Sequence, residues 1–322
     1  MTAVPKDRLV TIYGGSGFIG RHVVRALARS GWRIRVAVRR PDLAHHLQPL
    51  GRVGQIHAVQ ANLRYPDSVG RAAEGADALV YLVGILYESG RQTFDAIQAQ
   101  GAATVARIAA EAKAQLVHFS AIGADAESRS AYARTKAAGE LAAFAQTPTA
   151  VVLRPSIAFG PEDDFFNKFA AMARISPALP LIGGGKTRFQ PVFAGDIAAA
   201  VNAVLDGRAR PGTIYELGGP EVRTFEELLR LTLQEIDRKR LLVPLPFPIA
   251  RMQAFFLERL PKPLITRDQL ILLERDNIVS EAAKREGRTL QDLGISPTSL
   301  EAVLPTYLSR FRKAGQFSRP AT

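Results

Sequence analysis

Between an apolar run at residues 9–13 and an amphipathic stretch at 18–29 lies Gly14-Gly15-Ser16-Gly17-Phe18-Ile19-Gly20. No other feature of the chain restricts its fold as much. A strand can pass straight into a helix only through a tight turn, and glycine, lacking a Cβ, permits one. The helix that follows offers unpaired N–H donors and a positive dipole end to whatever sits in the turn. Glycine also lets the backbone approach a pyrophosphate closely. The pattern predicts a strand–turn–helix unit that holds a dinucleotide; a tightly packed loop that holds none is the alternative.

The flanking sequence keeps the same rhythm. Apolar runs at 34–38, 55–60, 78–83, 115–120 and 150–154 alternate with helical stretches at 67–73, 94–112 and 131–145. Strands that are apolar throughout belong to a parallel sheet covered on both faces. The expected fold is α/β, a doubly wound parallel sheet of the Rossmann kind with a smaller, mainly helical C-terminal lobe. Residues 1–155 form the dinucleotide-binding core in this reading. Past Pro155 the rhythm breaks at Gly160-Pro161, Pro177, Pro180 and Gly183-Gly184-Gly185. Within 156–322, a helix at 196–205 and a strand at 213–217 return to the core (about 190–219). Most of 220–322 forms the lobe, with proline-rich turns at 244–248 and 261–263.

Composition narrows the function. With 47% hydrophobic and 22% charged residues a packed core is expected. The absence of cysteine excludes disulfides, thiolate zinc sites, iron–sulfur clusters and a cysteine nucleophile. The longest apolar candidate for a membrane span, 241–257, is broken by Pro244, Pro246, Pro248 and Arg251. Residues 1–6 lack the apolar stretch of a signal peptide, so a place on the cytoplasmic side of any membrane is expected. The net charge is +12. Residues 1–52 hold ten bases and two acids, net +8. No basic cluster alternates with aromatics, so nucleic acid is not expected as a partner.

The end of the second strand speaks to the nucleotide. An NAD site usually places Asp or Glu there for the ribose hydroxyls. This chain has Arg39-Arg40-Pro41, and guanidinium groups suit a 2′-phosphate. NADPH is therefore expected over NADH. Arg35 adds to the field, and Pro41 separates Asp42 from the strand.

Tyr132 and Lys136 lie one helical turn apart on one face. A nearby ammonium favours the phenolate and is expected to lower the tyrosine pKa. Such a tyrosine can act as general acid or base at a carbonyl or alcohol, while the lysine binds the nicotinamide ribose.

Other groups read more plainly. His45 and His46 lack an i,i+4 partner, so no metal site is expected. His118 reads as a satisfied core residue and Asp196 as a helix N-cap. Glu162-Asp163-Asp164 reads as a solvated turn. Ile249, Met252, Phe256 and Leu260 recur at helical spacing, with Phe255 and Leu257 beside them and Arg251 and Arg259 flanking. That face either packs on its own lobe or lies on a membrane surface or partner.

Taken together, these motifs resemble the extended short-chain dehydrogenase/reductases over roughly residues 8–235. The resemblance rests on the glycine loop, Tyr132/Lys136 with Gly139-Glu140, Leu153-Arg154-Pro155, Gly160-Pro161, the run from Pro191 to Asp196, and Tyr215-Glu216-Leu217-Gly218-Gly219. The runs 117–125 and 130–140 are similar, more narrowly, to the atypical members related to the Rossmann-fold accessory subunit of respiratory complex I, the NADH:ubiquinone oxidoreductase. That likeness implies bound NADPH, a peripheral position and complex I subunits as partners. It carries cofactor contacts onto the glycine loop, Arg39, Arg40, Asn62, Leu63, Val83, Gly84, Ser120, Tyr132, Lys136, Pro155 and Ile157. Two departures stand out. Ile122 occupies the position of a substrate-orienting Ser or Thr, leaving Ser120, Ser128 and Ser130 as the hydroxyls to replace it. Asn62 stands where relatives often carry Asp. A non-catalytic, NADPH-binding accessory or assembly subunit is the expected function. The alternatives are a soluble reductase or epimerase using Tyr132 and Lys136, and a module that senses NADPH.

Overall fold

A computed structural model describes residues 8–260, 263–313 and 315. Residues 1–6, and 261–262 of the expected turn at 261–263, lie outside the described residues. The core elements are β1 (Leu9–Tyr13), α1 (Phe18–Arg29), β2 (Arg33–Val38), β3 (Ile56–Gln60), α2 (Pro66–Ala73), β4 (Ala78–Tyr81), α3 (Gly101–Ala112), β5 (Gln115–Phe119), α4 (Ala131–Gln146) and β6 (Val151–Pro155). With strand Ile214–Leu217 they form a seven-stranded parallel sheet in the order 214–217, β6, β5, β4, β1, β2, β3. The chain runs outward from β1 to β3 and then crosses to β4 on the other side of β1. The glycine loop lies at that switch point, where the carboxyl ends of strands part to make a crevice.

Both faces of the sheet are covered because its strands are apolar throughout. On one face Val10, Ile12, Val80 and Val117 pack under α1 and helix Ala194–Leu205, through Val24, Leu27, Ile197 and Val201. On the other Tyr13, Leu79 and Leu116 meet α2 and α3 through Val69, Val105 and Ala109. Polar groups there are satisfied locally, the Tyr13 hydroxyl donating to the Val69 carbonyl at 2.8 Å. The long helix expected at 94–112 opens with one π-helical turn, Asp95–Gln100. The Tyr81 hydroxyl donates to the Ile97 carbonyl in that turn at 2.5 Å. An inserted donor of this kind widens a helix locally.

A second core belongs to the lobe, where Phe159, Phe166, Leu179, Phe225, Leu228 and Leu304 pack together. It is built on helices Phe165–Ile175, Phe225–Glu235, Phe247–Leu257 and Leu300–Leu308 and on a parallel strand pair, Ala178–Ile182 with Leu241–Leu245. In the acidic run before the first of these helices, Glu162 and Asp164 are exposed as a solvated turn would be, but Asp163 is not. Asp163 is buried, accepts from Phe166 N at 2.6 Å and from the Tyr307 hydroxyl, and so fastens the helix start to the last lobe helix. Glu162 accepts from Arg21 of α1 at 3.1 Å.

Residues 266–298 stitch the two cores together. Asp268 reaches α4, Asn277 the end of β6, Ser280 the strand 214–217, and Thr298 the helix 194–205. Leu290 and Leu293 pack with the sheet core, not with the lobe. Asp196 is therefore not an N-cap. Its carboxylate accepts from Thr298 N at 2.7 Å and Thr298 Oγ1 at 2.9 Å, and Phe193 occupies the cap position.

Candidate functional site

A cleft of about 1340 Å³ runs from the switch point into the lobe. Of the residues expected to hold a nucleotide, Gly14, Ser16, Gly17, Phe18, Ile19, Gly20, Arg39, Arg40, Asn62, Leu63, Val83, Gly84, Ser120, Tyr132, Lys136, Pro155 and Ile157 all line it. Gly15 does not. It faces the sheet, where an added Cβ would sit 2.9 Å from Val36 Cγ1.

The glycines serve different purposes. Gly14 has φ +86°, a left-handed conformation that side chains resist. Gly20 is crossed by the loop, since an added Cβ would lie 2.5 Å from the Gly14 carbonyl. Gly17 meets no such obstacle: the nearest atom to its Cβ would be 3.4 Å away. The fold tolerates a side chain at Gly17, so its bareness points to a ligand. Gly17 caps α1 without a side-chain hydrogen bond, and no acid stands in the first turn. The N–H donors and dipole there are left for an anion. These features fit a dinucleotide.

The cations beside the β2 end are not equivalent. The Arg40 guanidinium is forked by Asp42, at 2.9 Å (Nε to Oδ1) and 2.6 Å (Nη2 to Oδ2). Pro41 starts a short helical turn that swings Asp42 back toward Arg40. Arg39 makes no ion pair among the described residues and faces the cleft. Arg35 donates to the Ala72 and Glu74 carbonyls at 2.7 and 2.8 Å, so it closes α2 and does not face a phosphate. Asn62 Oδ1 accepts from Arg64 N at 3.2 Å, which leaves its Nδ2 as a donor.

Tyr132 and Lys136 share the cleft wall, the ammonium 5.8 Å from the ring centroid. The Lys136 ammonium donates to the Phe119 carbonyl at 3.0 Å. Burial lowers Lys136 to about 8 against the pull of Glu140. The expected depression of Tyr132 does not occur. Burial, aided by the Asp268 carboxylate, pushes its phenol up to about 12. Asp268 was not visible to the sequence reading because it comes from the lobe. It accepts from Ser130 Oγ and Ala131 N, both at 2.7 Å, and so caps α4. A tyrosine held this high is a weak acid–base catalyst at neutral pH.

The substrate side lacks the hydroxyl that was expected at Ile122. Ile122 lines the cleft and packs with Val279 and Ala283. Its carbonyl accepts from Asn277 Nδ2 at 3.2 Å, while Asn277 Oδ1 accepts from Ser156 Oγ at 2.7 Å and Ile157 N at 3.1 Å. Ser130 is engaged by Asp268 and Ala133, and Ser128 by Ser130 N. Ser120 alone of the three has a buried hydroxyl with no partner among the described residues. His118 is buried and stacks on Tyr81, but its Nε2 is unpartnered, so it is not the satisfied residue expected. Burial, with Lys136 nearby, lowers it to about 3 and keeps it neutral.

The remaining motif residues are structural. Arg154 donates to both Glu140 oxygens at 2.7 and 2.6 Å, and Glu216 lies 3.9 Å from the same guanidinium. This network joins α4, β6 and the strand 214–217. Gly139 is required because an added Cβ would stand 2.4 Å from the Gln98 carbonyl.

The helix Phe247–Leu257 buries Ala250 and Ala254 and turns the apolar face that was read two ways out to solvent, not onto its own lobe. Met252 and Phe256 are 60% and 65% exposed, with Ile249 and Leu260 beside them. No helix among the described residues is long and apolar enough to cross a membrane.

Residues 10–218 match the NAD dependent epimerase/dehydratase family. Over 320 residues, 95% of this chain and 79% of the relative, the protein is 34% identical to mitochondrial NADH dehydrogenase (ubiquinone) 1 alpha subcomplex subunit 9 of Arabidopsis thaliana. It is also 34% identical, over 244 residues and 74% of each chain, to a ceramide reductase of Caulobacter vibrioides. The fold matches dTDP-glucose 4,6-dehydratase of Streptomyces venezuelae, solved with NAD and TYD bound, with TM-score 0.71 over 94% of this chain and 96% of that one at 22% identity. The chain belongs to the NAD dependent epimerase/dehydratase family and is a relative of the complex I subunit named above.

Proposed function

We propose that this chain is an accessory subunit of respiratory complex I that holds NADPH and performs no chemistry of its own. The observation that carries the reading is the missing hydroxyl: an isoleucine, Ile122, stands on the cleft wall where a substrate-orienting Ser or Thr is expected, packed with Val279 and Ala283, and Asn277 ties up the neighbouring backbone. A relative over nearly the full length is named as a subunit of that complex.

The uncapped start of α1 and bare Gly17 receive the pyrophosphate. Arg39 meets the 2′-phosphate, Asn62 the adenine, and Lys136 the nicotinamide ribose. A bound nicotinamide can supply or accept a hydride, but Tyr132, held protonated at about 12, serves here as a donor that positions it. The nucleotide then stabilises the fold by mass action. The chain sits peripherally on the cytoplasmic side of the energy-transducing membrane. The outward face of helix 247–257 and its arginines support contact with the lipid surface, of which salt would weaken only the charged part. Gentle purification of complex I should yield the chain with one NADPH released on denaturation. Recovery of the chain only in the soluble fraction, with the complex intact after its deletion, would overturn the reading.

One observation favours a second reading, an NADPH-dependent reductase. Tyr132, Lys136 and the unpartnered Ser120 hydroxyl line one cleft, and a relative is named ceramide reductase. NADPH oxidation that depends on an added carbonyl compound and is lost in Tyr132→Phe would establish it and displace the first.

A further inference from the structure

The cleft is larger than the ~300–1,000 Å³ of an ordinary small-ligand site, at about 1340 Å³. Part of its lining belongs to the lobe. Phe165, Phe169, Met172, Leu245, Ile265 and Leu273 line it and are only partly covered by the lobe core. Large apolar side chains at the heart of a lobe are rarely left half-covered without a ligand to complete them.

Charge limits what that ligand can be. Among the described residues beyond Pro155 that line the cleft, Lys168 is the one cation, and Asp164 stands against it as an acid. The Lys168 ammonium already donates to the Leu264 carbonyl. A nucleoside diphosphate would bring its charges against phenyl rings and leucines, with little to neutralise them. A hydrocarbon chain meets no such penalty and gains burial along its length.

The wall itself suggests the way in. Helix Phe247–Leu257 turns Ala250, Gln253 and Leu257 to the cleft and Met252 and Phe256 to the outside. Leu86 and Leu264 stand on the cleft wall and are 49% exposed. An apolar exterior thus continues into an apolar interior around one helix. At the other end Ser120 Oγ, buried and without a partner among the described residues, lines the same cleft and can donate to an oxygen-bearing end.

We infer that the lobe half of the cleft binds the single long aliphatic chain of an amphiphile, acyl or isoprenoid, drawn in past helix 247–257. The route from a membrane rests on the membrane-surface reading above; the chain site itself does not.

The test uses the purified, delipidated protein and the fluorescent fatty acid cis-parinaric acid. Saturable binding of one probe per chain is expected. Displacement by palmitate identifies an acyl chain, and displacement by farnesol an isoprenoid. Met172→Trp, which fills the cleft, should weaken binding at least tenfold, and Met172→Leu should preserve it. If the tryptophan variant melts well below wild type, Gln253→Trp, at an exposed position that lines the cleft from helix 247–257, is read instead. Absence of saturable binding, or affinity unchanged in the filled variant, overturns the proposal. So does binding lost in Phe256→Glu but kept in Met172→Trp, which would put the probe on the outer face. None of these outcomes depends on complex I.

Discussion

The two ends of the cleft are made differently. At the nucleotide end the chain presents backbone: a glycine turn, the free start of α1 and strand ends at a switch point. At the lobe end it presents side chains from helices far apart in sequence. Backbone sites depend on conformation and tolerate variation around them. Side-chain sites depend on each residue and can be retuned one residue at a time, as Ile122 removes a hydroxyl from the cleft wall. One end can therefore keep its ligand while the other changes.

The sharpest break between the ends should come from the network that joins them to the sheet. Arg154 and Glu140 have side chains only 20% and 6% exposed. Removing one member of such a pair leaves a buried charge unmatched, at a cost of about 3–5 kcal/mol. Arg154→Met should lower stability by that order in urea unfolding. The double change with Glu140→Leu should recover most of it, since a buried pair is worth little over apolar packing. A loss below about 1 kcal/mol in the single variant would mean the network does not hold α4 to the sheet.

These residues also show how far sequence reaches. The glycine loop, the strand alternation and the Tyr132/Lys136 spacing are legible because each lies within a few residues of chain, where period and conformation govern. Arg154 and Glu140 were legible as a motif but not as an ion pair. Asp268 and Asn277 were not legible at all. Their partners are Ala131 and Ile157, 137 and 120 positions away. No periodicity encodes such a meeting. The tyrosine pKa went the wrong way for a related reason: the helix showed its lysine, but not the burial that raises the phenol nor the lobe carboxylate that adds to it. Asp42 failed differently. Its partner is two residues off, but the turn that Pro41 begins was read as a barrier.

The second prediction separates glycines that shape the loop from the one kept bare for a ligand. Gly17→Val should leave the melting temperature within a few degrees of wild type and weaken NADPH binding more than about a hundredfold, by occupying the pyrophosphate space. Gly20→Ala should do the reverse in part, lowering stability because its Cβ meets the Gly14 carbonyl at 2.5 Å. Calorimetry and thermal melts on both variants decide it. Normal binding by folded Gly17→Val would place the phosphate elsewhere.

The third tests nucleotide choice. Arg39→Ala should weaken NADPH roughly tenfold to a hundredfold and leave NADH nearly unchanged, since one charge-assisted contact to phosphate is lost. Asp42→Ala frees Arg40 and should tighten NADPH several-fold. Both effects should shrink in high salt, because these groups are exposed. An NADH affinity that equals that for NADPH in the wild type would refute the assignment.

The smallest expected effect tests the nucleotide end by pH. Burial lowers the folded Lys136 pKa to about 8 from its ordinary 10.5. Between those values the unfolded chain binds more protons than the folded one. Stability therefore rises with pH across that window, and below about 8 the cost of the buried ammonium is fully present. A ribose at this site acts the opposite way, since its oxygens accept from the charged form and raise the pKa. Above about 8, binding must then take up a proton. The NADPH dissociation constant should rise about tenfold between about pH 7 and about pH 9, a range in which the 2′-phosphate has already ionised. Lys136→Met should bind more weakly and lose the slope. A flat NADPH profile in the wild type would mean that the ammonium does not face the nucleotide.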